Sequence, residues 1–505
     1  MRETQLPTAV LIDVLSIQKY IFQSNKLKEN LGASYIIEHV LYGVEFLGLD
    51  KTTPWWDGKM PINTTGTIGF VGGGNALLFF NDETQANAFL KIFFTKVYLS
   101  LPGLPIIYGI KNDFCIGTNY KTHFSILIKS LIICRNSYRF NMPLAKSPFH
   151  DNCVFTGNIA VDTQQGDKIS ASAKARLTYV DSAKNKHLEL IEGDNKNNYT
   201  FTDELSKLAQ PDEKSYIAVV HIDGNGIGDE FLSCESLKDS QTLSQAVNDL
   251  CKSTFKTLIT EMINELDTYN LNLQKDGDKT ILPIRPIIIG GDDITFVCEG
   301  TLGVYLAEKF IEIFSAVKIK EKYYNACAGI AIAKTKYPFS KIYYLADALC
   351  QEAKEKAKIK AEEKVQTGYP SAISYHIATN GISGSLADIR TQYYTNYKNE
   401  KLYKGPYLLE VEYRNLINGM KHFTDTAKIA KNQTQKIKQT LLNGDEIDKD
   451  LLGLRLRQLE QKTLDIKGDY PDIKDEYFDM IELLDFYPTK YLALSEETTQ
   501  IIENA

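Results

Sequence analysis

The tetrapeptide Gly290-Gly291-Asp292-Asp293 is the part of this sequence with the clearest chemistry. It separates two apolar runs, 287–289 and 294–297, and the pattern of strand, tight turn and strand predicts a β-hairpin. Two adjacent carboxylates at a hairpin tip repel each other unless a cation lies close to them. Mg²⁺ prefers such oxygen ligands and commonly takes one or two carboxylates together with substrate phosphates. Gly and Asp are also ordinary turn residues, so the tetrapeptide alone leaves a plain surface turn open.

A second acidic strand favours the functional interpretation. The apolar run 217–222 predicts a buried strand that ends at Asp223 and opens into a Gly-rich segment, 224–226. A carboxylate followed by a Gly-rich turn into a helix is typical of a phosphate and metal site, because free backbone N–H groups point at the anion. If this strand neighbours the hairpin, Asp223 and Asp292 meet at one sheet edge. Two metals held there can activate a hydroxyl nucleophile and stabilise leaving pyrophosphate.

A third strand and the helix that follows it supply positive charge. The segment 325–333 predicts the strand and 342–361 predicts the helix. Lys354 follows an Ala on the apolar side of this helix and is the best candidate for reaching triphosphate oxygens. The other lysines of the helix fit a solvated face. Lys334, at the end of the strand, is a second candidate for neutralising phosphate charge.

Together these motifs resemble one family. They are similar to the catalytic Palm domain of the large polymerase/cyclase subunits of type III CRISPR effector complexes, which are distantly similar to GGDEF cyclases. The segments that carry this resemblance are 221–228, 290–293, 328–334 and 337–339. Segments 13–22 and 32–35 resemble the first Palm of the same family, and 371–376 with Arg390 resemble the strand and helix after the second.

The resemblance implies an α+β fold, with two ferredoxin-like Palm domains and a C-terminal helical domain. It implies a metal-dependent nucleotidyltransferase that makes cyclic or linear oligonucleotides from ATP, usually cyclic oligoadenylate. Two Mg²⁺ or Mn²⁺ ions would lie between Asp223 and Asp292, with Asp293 or a backbone carbonyl near Ile222 completing the ligands. The expected nucleotide-binding residues are Gly224, Asn225, Gly226, Gly290, Gly291, Lys334 and Lys354.

A chain of 505 residues is too long for one ordinary core and implies two to four domains. We expect a degenerate first Palm at 1–115, a linker or small insert at 116–210, the catalytic Palm at 211–400 and helices at 401–505. The hairpin Gly69–Phe80 repeats the acidic one with Gly-Gly-Asn in place of the acidic pair. Without those carboxylates the first Palm cannot hold two metals, and Asp13 alone is insufficient.

The composition limits the other classes of function. A net charge of −7 argues against a protein that coats nucleic acid nonspecifically, because phosphate neutralisation needs a basic surface. The eight cysteines form no C-x-x-C pair, and His150 with Cys153 cannot supply four ligands, so a zinc site is not expected. A signal peptide and a long apolar span are both missing from the sequence, which predicts a soluble, cytoplasmic protein without membrane partners.

Two settings remain open for the predicted chemistry. The chain is either the large subunit of an effector that contains guide RNA and other subunits and is activated by target RNA, or a defence cyclase that works alone or with one partner. A non-catalytic, nucleotide-binding scaffold of such a ribonucleoprotein is the alternative function, since fold does not fix activity. The sequence begins almost at the first Palm, so we expect no histidine–aspartate nuclease activity on single-stranded DNA.

Overall fold

The computed structural model describes most of the chain. The described residues are 7–47, 67–117, 119–137, 149–164, 166–211, 215–319, 321–364, 368–379, 384–421, 424, 431–444 and 477–492. Much of the expected C-terminal helical domain, 445–476 and 493–505, lies outside them. Within these ranges, each helix is either too short or too polar to cross a bilayer.

The N-terminal part forms a four-stranded antiparallel sheet covered by helices. Its elements are β1 (Thr8–Val14), α1 (Ile17–Ile21), α2 (Leu27–Tyr35), α3 (Val44–Leu47), β2 (Thr67–Gly72), β3 (Asn75–Phe80), α4 (Glu83–Ser100), β4 (Ile106–Lys111) and α5 (Tyr120–Ser137). The strand order is β2-β3-β1-β4, with every neighbouring pair antiparallel. This is the arrangement of a ferredoxin-like β-α-β-β-α-β unit. Helix α5 packs on β4.

A small segment connects the first sheet to the second. It contains β5 (Ala160–Gln164), β6 (Asp167–Ser170), α6 (Ala171–Thr178), α7 (Val180–Leu188), α8 (Asn195–Asn198) and β7 (Tyr199–Thr200). Helices α6 and α7 pack against α2 of the first unit. A fully buried ion pair fixes this contact, with Arg176 Nη1 at 3.9 Å from Glu29 Oε2. Removing either partner would leave a buried charge without compensation, which is strongly destabilising.

The second sheet is larger and holds the predicted acidic motifs. Its elements are β8 (Tyr216–Gly224), α9 (Ile227–Ser233), α10 (Leu237–Asn264), β9 (Lys275–Asp276), β10 (Lys279–Ile281), β11 (Ile284–Gly290), β12 (Asp293–Glu299), α11 (Gly303–Ser315), β13 (Lys318–Ile319), β14 (Lys322–Tyr323), β15 (Ala326–Lys334), α12 (Phe339–Lys364), β16 (Ala372–Ala378), α13 (Leu386–Tyr393) and β17 (Tyr407–Leu408). The strand order is β11-β12-β8-β15-β16-β17. Its first four strands repeat the order of the first sheet. The predicted α+β class with two Palm sheets is therefore confirmed.

The two sheets repeat one another in detail. Asp13 of β1 lies opposite Asn75 of β3, just as Asp223 of β8 lies opposite Asp293 of β12. Both hairpins also carry a register shift at the same place, between Ile68 and Phe70 in one and between Pro286 and Ile288 in the other. Such an irregularity bends a strand and is a designed feature rather than a defect.

The two units contact each other reciprocally. Helix α10 of the second packs on β2 of the first, and helix α2 of the first packs on β11 of the second. The Tyr120 hydroxyl lies 3.1 Å from the Ser240 hydroxyl oxygen, which ties α5 to α10. The hairpin tips approach so closely that a Cβ on Gly291 would lie 4.0 Å from the Cα of Gly73. A cleft between the two tips follows from this arrangement.

Three further helices pack around the end of the second sheet. They are α14 (Arg414–Lys421), α15 (Lys431–Asn443) and α16 (Tyr477–Leu484). Asp479 of α16 is fully buried, and its carboxylate accepts hydrogen bonds from the Tyr407 hydroxyl and, at 2.8 Å, from the Lys404 backbone N–H. No described residue forms a hydrogen bond with its second oxygen, Oδ1. Burial raises the pKa of Asp479 to about 7, so folding favours the protonated carboxyl.

We predict that Asp479→Asn stabilises the chain at pH 8 but not at pH 5. The folded carboxyl is protonated below about pH 7 and the unfolded one is ionised above about pH 4, so wild-type stability falls as pH rises across that window by up to about 1.4 kcal/mol per pH unit. Asn keeps an acceptor for Tyr407 and Lys404 and carries no charge. Urea unfolding midpoints at several pH values measure the difference, and an equal difference at pH 5 and pH 8 contradicts the prediction.

Candidate active site

The acidic hairpin is a two-residue turn built on glycine. Gly290 pairs with Asp293 across the turn, so Gly291 and Asp292 form the loop. Gly291 has a φ of 62°, which a residue with a Cβ adopts only with strain. A positive φ confined to the first loop position is typical of a type II′ turn, whose twist matches that of the two strands. The turn therefore holds Asp292 at a fixed place beyond the sheet edge.

The three predicted carboxylates come together at this edge. Asp223 lies directly opposite Asp293 in the antiparallel pair, and residues opposite each other in a sheet share a face. The backbone N–H of Gly224 donates to the Asp292 carbonyl oxygen at 3.1 Å. A Cβ on Gly224 would lie 2.9 Å from the Cβ of Asp292, so only glycine allows this approach. The structure thus brings Asp223, Asp292 and Asp293 together at one end of the strands, and their role in metal binding stays a prediction.

The cluster is electrostatically unfavourable without a bound cation. Burial, followed by repulsion from Asp223 and then Asp293, raises the pKa of Asp292 to about 7. Burial also raises the pKa of Asp293, with Asp223 and Asp347 adding to the rise and His221 opposing it. Carboxyl groups whose pKa rises through burial and like charge are typical of sites that bind cations or transfer protons.

Lys354 reaches this cluster from α12. Its ammonium group forms an ion pair with Asp223. The helix can lie this close because a Cβ on Gly329 of β15 would be 2.0 Å from the carbonyl oxygen of Ala346. Burial works against the charge of Lys354, but the charge of Asp223 prevails and raises the Lys354 pKa. The structure thus places the Lys354 ammonium group beside Asp223, and its contact with triphosphate oxygens stays a prediction.

Two residues at the cluster had no predicted role. Gln18 of the first unit donates a hydrogen bond from Nε2 to Oδ2 of Asp293 at 3.0 Å. His221 is buried on β8, two residues before Asp223, and its Nδ1 lies 3.4 Å from Oδ1 of Asp293. A period of two along the strand would have placed His221 on the same face as Asp223. No pattern in the sequence would have found Gln18, since it arrives from the other sheet.

A cavity of about 670 Å³ lies between the two hairpin tips. Such a volume is in the range of sites for small organic ligands. The acidic hairpin and Asp223 form one part of its wall, and the glycine hairpin 72–74 forms another. Polar side chains of α2, α10 and the turn after α2 complete it; they include Ser34, His39, Ser244, Asn248 and Lys252. The cavity is therefore lined by both sheets.

Other predicted site residues lie elsewhere. Lys334 pairs with Tyr216 at the far end of β8, roughly 23 Å along the strand from the acidic edge at about 3.3 Å per residue. Its ammonium lies over the Tyr216 ring, 4.0 Å from the centroid. The expectation that Lys334 binds nucleotide is corrected for this reason. Strand β15 runs antiparallel to β8, so the last residue of β15 lies at the opposite end of the strands from Asp223.

The Gly-rich turn has mainly a structural part in the site. Asn225 donates from its side chain to the Pro370 carbonyl oxygen at 3.0 Å, and Gly226 begins α9 with a φ of 72°. The segment 224–226 does not line the cavity, whereas Gly290 and Gly291 do. Ile222 is fully buried between Ile294 and Ala328, where the sheet ladder uses its backbone groups. We therefore leave Ile222 and Asn225 out of the ligand-binding set.

The donor set fits a hard divalent cation that the substrate helps to hold. Among the described residues, no three His, Cys, Asp or Glu side chains are arranged as a complete metal site. However, Mg²⁺ needs only one or two carboxylates when phosphates supply the remaining oxygens. Among the residues that the structure describes, Oδ1 of Asp293 is buried without a hydrogen-bond partner, and burial together with repulsion from Asp223 raises the pKa of Asp292. The expectation that zinc is absent stays a prediction.

Comparisons with known proteins agree with these motifs. Residues 216–361 match the family described as Cas10/Cmr2, second palm domain. No curated protein sequence matches the chain. Crystal structures of the Csm1–Csm4 cassette with one ATP and with cA3 have TM-scores of 0.54 and 0.52, at 13% and 15% identity; each match covers 96% of this chain and 70% of the other.

Csm1 from T. onnurineus gives a TM-score of 0.53 at 12% identity, with 95% of this chain and 70% of the other covered. At such low sequence identity, these matches show a shared fold alone. The match to the palm family rests on the segment that holds Asp223, the acidic hairpin and Lys354. Residues 216–361 are therefore similar to the second palm domain of the Cas10/Cmr2 family, in agreement with the resemblance that the motifs carry.

Proposed function

We propose that the chain is a metal-dependent nucleotidyltransferase that joins ATP into cyclic or linear oligoadenylate in CRISPR-type defence. The observation that carries this proposal is the register of β8 and β12, which sets Asp223 opposite Asp293 beside Asp292. The Csm1–Csm4 structures in complex with AMPPNP, pppApA and cA4 support it, because their ligands are a nucleotide analogue and adenylate products.

The reaction joins a ribose hydroxyl of one nucleotide to the α-phosphate of another and releases pyrophosphate. Two Mg²⁺ or Mn²⁺ ions, when bound, would activate the hydroxyl and neutralise charge on the leaving pyrophosphate. Asp223 and Asp292 would hold them, and Asp293 would complete the ligands. Gly290 and Gly291 leave the cavity wall free of side chains, so phosphate oxygens can approach the backbone.

Lys354 has a specific part in this proposal. Its ammonium group forms an ion pair with Asp223. If Asp223 held a cation, the Lys354 ammonium group would be available to triphosphate oxygens. Lys354 would thus act as a counterion before binding and as a phosphate ligand after it, which keeps the buried charges balanced in both states.

A non-catalytic, nucleotide-binding scaffold is the second candidate. The ion pair between Lys354 and Asp223 favours it, because a carboxylate already neutralised has less need of a metal. Both candidates use the same cavity. The nucleotidyltransferase requires the carboxylates for product formation, whereas the scaffold requires them only for the shape of the site.

We predict that the double variant Asp292→Ala with Asp293→Ala keeps its fold and loses product formation. Loss of both carboxylates removes cation binding and charge neutralisation together, so the rate should fall by at least about a thousandfold. Asp13→Asn is the matched control, because Asp13 occupies the position of Asp223 in the sheet without the acidic hairpin. The assay is mass spectrometry of products from ATP and Mn²⁺, with and without RNA.

A double variant that makes product at the wild-type rate would refute the catalytic assignment. Wild-type protein that binds ATP but forms no product under any of these conditions would support the scaffold. Circular dichroism and the unfolding midpoint confirm that the variants are folded.

We predict that Lys354→Met tightens Mn²⁺ binding to the nucleotide-free chain yet lowers kcat/KM for ATP by about a hundredfold. The first effect follows from removing a competing positive charge, and the second from removing a phosphate ligand. Lys334→Met is the control, because Lys334 lies far from the carboxylates. It should change neither the Mn²⁺ affinity nor kcat/KM. Equal losses of kcat/KM in both variants would contradict the geometry described above.

We also propose that the chain acts with other effector subunits, guide RNA and an activating target RNA. Crystal structures of Csm1 in a cassette with Csm4 support a subunit partner. Purification from the native cell should yield short RNA and at least one further subunit with the chain. A chain that purifies alone and makes full amounts of product without RNA would contradict this and favour an independent cyclase.

A further inference from the structure

We propose that His221 is a positioning residue that holds the Asp293 carboxylate toward the cation site, and that Asp347 in turn orients His221. This inference rests on the proposed function, because it concerns the same carboxylates. His221 contacts Asp293 and does not line the cavity between the palms. Its effect on chemistry therefore passes through Asp293.

The imidazole lies between two carboxylates. Nδ1 lies 3.4 Å from Oδ1 of Asp293 and 3.1 Å from the Thr295 hydroxyl, while Nε2 lies 3.6 Å from Oδ1 of Asp347. His221 is only 2% exposed, and the Tyr343 ring packs edge-on against it with centroids 5.7 Å apart. A ring enclosed in this way has few orientations open to it.

Asp293 is held from two directions as a result. The Gln18 side chain donates to Oδ2 at 3.0 Å, and the His221 ring faces Oδ1. Among the described residues no group donates to Oδ1 with hydrogen-bond geometry, so the His221 ring holds it by close contact and the lone pairs of Oδ1 stay open to a cation. Residues that orient metal-binding carboxylates from behind are commonly needed for full metal affinity.

The first sheet provides an internal comparison. His221 pairs with Gly329, and the equivalent pair in the first sheet is Leu11 with Gly109. A Cβ on Gly329 would meet the backbone of Ala346 and Cys350, and one on Gly109 would meet that of Leu127 and Leu131. Four residues separate the members of each helical pair, so the helices superpose in register. Asp347 then corresponds to Ile128, and Lys354 corresponds to Arg135.

This correspondence separates two kinds of position. The strand-end acid and the basic helix residue occur in both sheets, as Asp223 with Lys354 and as Asp13 with Arg135. The polar residues around Asp293 occur in one sheet only. Their counterparts in the first sheet are Asn75 for Asp293, Leu11 for His221, Leu77 for Thr295 and Ile128 for Asp347. The His221 and Asp347 pair therefore accompanies the hairpin carboxylate, as a positioning role requires.

Two substitutions separate positioning from packing. An Asn side chain places its amide near Nδ1 of the histidine, so His221→Asn keeps a donor beside Asp293. A Gln side chain places its amide near Nε2, so His221→Gln keeps the contact with Asp347 and loses the one with Asp293. His376→Gln is the matched control, because His376 is a buried histidine on β16 of the same sheet, away from the carboxylates.

The experiment titrates Mn²⁺ into the nucleotide-free full chain and measures free Mn²⁺ by electron paramagnetic resonance. We expect His221→Gln to weaken Mn²⁺ binding by about 10-fold to 100-fold. His221→Asn and His376→Gln should bind Mn²⁺ nearly as tightly as the wild type. In product assays, His221→Gln should lower kcat for ATP while leaving KM close to the wild-type value.

Unchanged Mn²⁺ affinity in His221→Gln overturns the proposal, as do equal losses in His221→Gln and His221→Asn. If His221→Gln does not fold, Asp347→Asn replaces it, since Asp347 is 38% exposed at its side chain and tolerates the change; unchanged affinity there also overturns the proposal. A wild-type chain that binds no Mn²⁺ contradicts the cation site itself, and the role of His221 with it.

Discussion

The register between β8 and β12 is the constraint on which the site depends. Side chains alternate across a sheet, so a slip of one residue would turn Asp293 to the other face from Asp223. Both strands are apolar and almost fully buried, which makes such a slip costly. The two-residue turn at Gly291 fixes the same register from the other side. Burial of hydrophobic strands thus forces charged groups together that would otherwise separate.

Nearby polar groups partly offset the repulsion among these carboxylates. Lys354 balances Asp223, Gln18 donates to Asp293, and His221 lies beside it. Burial and then repulsion from Asp223 raise the pKa of Asp292 to about 7. Three carboxylates therefore share the positive charge of Lys354, and the cluster is short of positive charge. This is the condition expected of a site that takes up cations with its substrate.

The repeated sheet explains why the cavity has two unlike walls. Gly74 of the first hairpin stands where Asp292 stands in the second, and a Cβ there would lie 2.3 Å from Cδ1 of Ile17. Glycine at this position lets α1 lie against the tip of its own hairpin. Gln18, next in the chain, then reaches Asp293 across the interface. The sheet without acidic residues contributes to the site by placing α1 rather than by binding metal.

Much of this arrangement was predictable from local pattern. The apolar runs predicted the strands at 217–222 and 325–333 and the helix at 342–361, and the structure has them within a few residues. Because the two hairpins resemble each other in sequence, two similar sheets could also be predicted. Which carboxylates meet could also be predicted, because Asp223 and the acidic hairpin lie at the same end of neighbouring strands.

Contacts between separate elements were not predictable in this way. Lys334 has the residue type for phosphate binding, but antiparallel pairing carries it to the far edge. Gln18 and Asp347 reach Asp293 and His221 from elements distant in sequence. Hydrophobic periodicity reports which face of an element is buried, and it does not report what lies across the interface.

The proposed chemistry requires Asp223 and Asp292 to share divalent cations in the cavity between the two sheets. Anomalous scattering at the manganese edge, from crystals of the chain grown with Mn²⁺ and a non-hydrolysable ATP analogue, locates such cations. We expect anomalous peaks between these two carboxylates, with triphosphate oxygens completing the coordination and Lys354 released from Asp223. A bound nucleotide with no manganese at the carboxylates, or manganese bound only elsewhere, would contradict it.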